Sequence, residues 1–117
     1  MELAHEKLDV YQLSLDFVVL ANDVVEGLPR GRGHLAAQLA RASTSEVLNL
    51  AEGAGKHSKP DKRRFYLTAR GSATESAVLL DVCLRLNLLK PEQHQAGKEM
   101  VVRIVSMLIK LAQSCEM

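Results

Sequence analysis

The chain has no tryptophan, and its only aromatic residues among 117 are Tyr11, Phe17, Phe65 and Tyr66. That excludes a core of stacked rings and leaves few platforms for nucleic-acid bases. Cysteine is limited to Cys83 and Cys115, too few for a disulfide scaffold. Both read as small buried hydrophobes, reduced in the cytoplasm. The longest apolar run, Phe17 to Ala21, is far below the roughly 20 residues of a spanning helix. The charged segment Met1 to Asp9 lacks the apolar stretch of a secretory signal. A cytoplasmic protein without membrane contact is therefore expected. Neither sign of charge dominates, since the formal net charge is +1.

What is present is apolar residue of medium and small size. Hydrophobic residues make up 47% of the chain, which excludes a disordered or collagen-like polymer. Leucine, alanine and valine dominate, and isoleucine occurs only at Ile104 and Ile109. Such side chains suit closely packed helices. The length fits one domain, residues 1–117.

Three breaks divide the chain: the Gly27–Gly33 segment, the Gly53–Pro60 segment, and Leu89-Lys90-Pro91. The intervals are too long for strands and predict helices over about 9–27, 33–54, 59–88 and 91–115. Ser58 stands where its oxygen can cap the third helix, with Asp61 in the first turn. Pro60 and Pro91 suit first-turn positions. Gly53 and Gly55 are expected to end the second helix. Apolar residues recur at helical spacing in the last helix at Val101, Ile104, Val105, Leu108, Leu111, Ala112 and Cys115. The third helix carries a stripe of small residues, Ala69, Ser72, Ala73 and Ser76. The expected fold is all-α, an antiparallel up-down-up-down four-helix bundle. The first helix and the second half of the third are apolar around most of their circumference. That excess predicts a second buried surface and a homo-oligomer.

The sequence offers little to catalysis. His5, His34, His57 and His94 are scattered, and no zinc spacing of Cys and His occurs. Gly55-Lys56 lacks the earlier glycine and the following hydroxyl of a phosphate loop. No Gly-x-Ser-x-Gly elbow is present. Arg30 and His34 stand too close together, in a glycine-rich turn, for the Arg–His pairing of helical ribonucleases. No enzyme activity, metal or cofactor is expected.

Charge is more informative when divided by segment. Residues 1–29 set one lysine against six acids, net −5; residues 30–70 set nine Lys or Arg against three acids, net +6; the remainder balances. The positive block concentrates in two loops, at Arg30 and Arg32 and at Lys56, Lys59, Lys62 and Arg63. In an antiparallel bundle these loops lie at opposite ends. Repeated around a ring, they form a field suited to RNA or DNA phosphates, with little base readout. The competing expectation is a solvated basic loop on a protein-binding scaffold. One further pattern stands out. Arg41, Ser45, Asn49 and Glu52 share a stripe of the second helix, and Arg64, Thr68, Gly71 and Glu75 share a stripe of the third. Charged stripes of this kind are by default solvent-facing helix surface. The alternative is that the two faces meet across a helix pair or a subunit interface. Glu52 and Arg64 fit the solvent reading less well, because small residues beside them suggest close packing.

These same residues carry a resemblance. Leu8-Asp9-Val10-Tyr11-Gln12, Arg41-Ala42, Ser45, Asn49-Leu50-Ala51-Glu52-Gly53, the Phe65–Ser72 run with Arg70 and Ser72, and Glu75 follow in an order and spacing that resemble the 23S rRNA-intervening-sequence proteins. The chain departs from that pattern at Glu46-Val47 and at Ser76-Ala77. The resemblance implies a four-helix bundle, a homopentameric ring and no established catalytic activity. It also implies kinship with a branch that serves reverse transcriptases as a nucleic-acid-binding accessory. On this reading Arg30, Arg32, Lys56, Lys59, Lys62 and Arg63 bind phosphates.

Overall fold

A computed structural model describes residues 1–116. Its order is a short 3-10 turn, Ala4–Lys7, followed by α1 (Asp9–Glu26), α2 (Gly33–Ala54), α3 (Lys59–Arg85) and α4 (Pro91–Ser114). No strand occurs among the described residues. Each helix packs on its chain neighbours, and α4 closes the bundle against α1. The diagonal pairs, α1 with α3 and α2 with α4, make no close backbone approach. Short connections and a closed square make an antiparallel four-helix bundle, 46 Å long and 26 × 21 Å across.

The helix ends follow local chemistry. Ser58 has extended backbone and accepts from the Asp61 amide at 3.2 Å, while Pro60 lies in the first turn of α3. Pro91 opens α4, and the Gln93 side chain accepts from the Lys90 amide at 3.4 Å. The third helix stops at Arg85 rather than 88. Asn87 takes a left-handed φ of 59°. The Leu88 amide then donates to the Cys83 carbonyl at 2.8 Å, and the Asn87 amide to Leu84 at 3.0 Å. This is a Schellman closure with asparagine in the place glycine usually takes. Of the two glycines expected to end α2, Gly55 does so and Gly53 does not. Gly55 caps the helix with a right-handed φ of −86°, so its freedom is not used. Gly53 lies inside the helix and is there for space.

The core runs the length of the bundle. Phe17, Leu39, Leu50, Leu80, Ile104 and Leu108 are its fully buried large side chains. The expected α4 stripe faces it, with Val101, Ile104, Leu108, Ala112 and Cys115 buried. Ala69, Ala73 and Ser76 of α3 are buried as well, and their small size admits close helix approach. A Cβ on Gly53 would lie 3.0 Å from Phe65 Cβ and 3.0 Å from Tyr66 Cε1. Gly97 of α4 is as tight, with Leu80 Cδ1 2.7 Å from such a Cβ. The sequence reading missed the buried polar residues Ser14, Ser43 and Glu46. Serines on an otherwise apolar face, and one glutamate there, give no periodic signal of burial.

Substituting Gly53→Ala should lower stability by about 1–2 kcal/mol net of the helix propensity gained, because Phe65 Cβ, which moves only with its backbone, and the Tyr66 ring both have to give way. Gly55→Ala, whose added carbon meets only ordinary contacts, should leave it nearly unchanged. Urea denaturation followed by circular dichroism distinguishes the two.

Candidate functional site

The two basic loops occupy opposite ends of the bundle. Arg32 lies near the end of α3, where its charge acts on the Cys83 thiol. Arg63, at the start of α3, pairs with Glu116 at 3.5 Å. The cations differ in what already holds them. Lys56 pairs with Glu52 at 3.4 Å and sits 5.1 Å from the Phe65 ring centre. Lys62 donates to the Ala54 carbonyl at 2.8 Å, satisfying an end group of α2. Arg30, Arg32 and Lys59 have no side-chain hydrogen bond or ion pair among the described residues, and Arg30 and Lys59 are exposed. Sequence reasoning treated the six as equivalent. Three of them have intramolecular work.

The second candidate lies between α2 and α3. Arg41 Nη2 donates to Glu75 Oε2 at 2.6 Å. One turn along, the Ser45 and Ser72 hydroxyls are 3.1 Å apart. Asn49 Nδ2 donates to the Ser45 carbonyl at 2.9 Å and to its hydroxyl at 3.1 Å. Of the two stripes read from the sequence, only Arg41 and Glu75 meet; Ser45 pairs instead with Ser72, beside the α3 stripe, and Thr68 turns back to the Arg64 carbonyl. These bonds form a polar seam along the outer edge of the α2–α3 contact. The seam does not extend to Glu52 and Arg64, which are exposed rather than packed. Glu52 turns to Lys56, and Arg64 turns to Asp61 at 3.5 Å and stacks 4.5 Å from the Phe65 ring centre. Arg70 is exposed and makes no side-chain bond among the described residues. Gly71 faces open space, with nothing within 4 Å of an added Cβ.

The family comparison fits this geometry. A family model described as 23S rRNA-intervening sequence protein matches residues 6–110. The chain belongs to this family. The crystal structure of a protein with unknown function from the S23 ribosomal protein family of Bacteroides thetaiotaomicron has a TM-score of 0.81 to it, at 23% identity. The match covers 88% of this chain and 97% of that one. At that identity the likeness shows the fold. No curated protein matches the chain. The 23S rRNA-intervening sequence family is one of unknown function, with no established catalytic activity.

Within this family member, other groups that could carry chemistry have structural surroundings. Asp81 Oδ1 lies 2.7 Å from both His94 Nε2 and Lys98 Nζ, tying α3 to α4. The Lys98 and His94 bonds hold its carboxyl below the usual range. Cys83 and Cys115 are free and buried, and burial pushes the Cys83 thiol up, only partly opposed by Arg32. No cluster of metal-ligating side chains, and no helix long and apolar enough to cross a membrane, occurs among the described residues.

Two substitutions separate stability from surface role along the seam. Gly71→Ala, at an exposed mid-helix site with free space, should raise stability by about 0.5–1 kcal/mol. Arg41→Ala should lower it by less than about 1 kcal/mol, as for other exposed ion pairs. Urea midpoints of the two variants check both.

Proposed function

We propose that the protein is a non-enzymatic homo-oligomer that serves as an accessory to nucleic acid or ribonucleoprotein and contacts phosphates through its basic ends. The observation that carries this reading is that both basic loops hold cations without an acidic partner among the described residues, Arg30 and Arg32 in one and Lys59 in the other. Lys56, Lys62 and Arg63 surround Lys59 in sequence and add positive charge to that end. Self-association is supported by apolar side chains left in solvent: Val19, Leu48 and Val102 are each more than 60% exposed. Copies aligned along their long axes repeat each basic end, and their fields add. The homopentameric ring implied by the family resemblance is one such arrangement. The scarcity of aromatic rings, with Phe17 and Tyr66 buried and Tyr11 and Phe65 only partly accessible, favours phosphate contact over base readout. Two free buried thiols suit a cytoplasmic location.

One observation favours a second reading, a protein-binding scaffold without a nucleic-acid role. Leu48, 67% exposed, lies on the stripe of Arg41, Ser45 and Glu52. That is a surface of apolar and polar groups suited to protein.

Filter binding of RNA and DNA across a salt series tests the first reading. Binding should weaken with a log–log slope that reports the phosphates contacted. The Arg30→Glu/Arg32→Glu and Lys59→Glu/Arg63→Glu pairs should each reduce that slope, with unchanged circular dichroism. No binding at low salt overturns it, and a protein partner captured after nuclease treatment then favours the scaffold. Light scattering should return a mass several times that of one chain.

A further inference from the structure

Glu46 is completely buried in the face that α2 turns to α1, and Ser14 of α1 is completely buried against it. Ser14 Oγ donates to Glu46 Oε2 at 3.0 Å, while Oε1 has no partner. This bond is the only side-chain hydrogen bond or ion pair that joins α1 to another helix among the described residues. The other helices are better tied: α2 to α3 by Arg41–Glu75 and Ser45–Ser72, and α3 to α4 by Asp81 with His94 and Lys98. The side chains one turn from Ser14 on α1 are Val10, Tyr11, Phe17 and Val18, and those one turn from Glu46 on α2 are Ala42, Ser43, Asn49 and Leu50. Tyr11, part-buried, is the only titratable one among them, and the 3-10 turn packed on α1 and α2 carries His5, Glu6 and Lys7. None of these acts on the carboxyl, which feels only burial and the Ser14 hydroxyl.

We propose that Ser14 and Glu46 form a proton-operated latch that fixes α1 against α2. With its proton, the carboxyl is a neutral group suited to an apolar interface. Without it, the latch encloses a carboxylate facing one hydroxyl and no cation, which the interior disfavours strongly. Burial accordingly pushes the Glu46 pKa up from 4.5 to about 7, with the Ser14 bond pulling weakly the other way. When α1 lifts, the carboxyl meets water and returns to its ordinary value. The closed form thus binds the proton more tightly than the open one. Closure is strongest below about pH 4.5, weakens as pH rises to about 7, and is constant above. Opening exposes the apolar stripe of α1 at Val10, Leu13 and Phe17, along with the bundle face it covers.

Hydrogen exchange of the full chain, corrected for intrinsic rates, tests this at pH 4.5, 6, 7 and 8. Protection of α1 amides should fall on the order of 100-fold between pH 4.5 and 7 and then level off, while α3 amides retain theirs. Glu46→Gln, which keeps shape but cannot ionise, should remove the α1 dependence, and Glu46→Leu should do the same if the glutamine variant folds poorly. Three results overturn the latch: α1 protection that does not change with pH, the same dependence in the variants, or equal loss in all four helices.

Discussion

The close approach of α2 to α3 sets the positions of the rest of the bundle. Gly53 lies under Phe65 and Tyr66 without space for a side chain, and Ala69 and Ala73 of α3 are buried with Ala42 of α2 in the same core. Two helices this close bring their flanking polar residues within hydrogen-bond reach. Arg41 can then meet Glu75, and Ser45 can meet Ser72. The remaining two helices are placed by what that pair leaves uncovered. Gly97 lets α4 settle over Leu80 and Leu20, and α1 closes the square with Phe17 at full burial.

The polar groups of this protein separate into three situations with different energetics. Exposed ion pairs such as Arg41–Glu75 exchange one solvated arrangement for another and contribute little. The Asp81–His94–Lys98 cluster is partly solvated and links two helices at a modest gain. Glu46 is different because it is buried without a cation, so its protonation state and the position of α1 are linked. Local sequence spacing ranks all three alike, as polar residues on helices.

Surface charge and surface apolarity are likewise arranged in a way that segment counts only outline. The cations of the second basic loop are divided between intramolecular tasks and solvent. Lys62 closes the end of α2, Arg63 reaches the chain's last turn, and Lys59 is free. The exposed valines at 19 and 102 lie away from these loops, on α1 and α4. Self-association and phosphate contact can therefore use separate surfaces of one molecule.

The sequence by itself determined the elements. Three Gly/Pro breaks, a Ser58 cap and apolar residues at 3.6-residue spacing are local signals, and they place four helices and most of the core. They also place Arg41, Ser45 and Asn49 on one stripe of α2 and Glu75 on α3, where these groups contribute to the seam. The tertiary structure decided what those signals cannot encode. It ended α3 early through the left-handed Asn87, and it turned Gly53 from an expected terminator into a packing contact. It also separated bound from free cations in the basic loops, exposed Glu52 and Arg64, and buried Glu46 against Ser14. Each of these outcomes depends on what a neighbouring helix brings to within a few ångströms, a distance that no spacing along a single helix specifies.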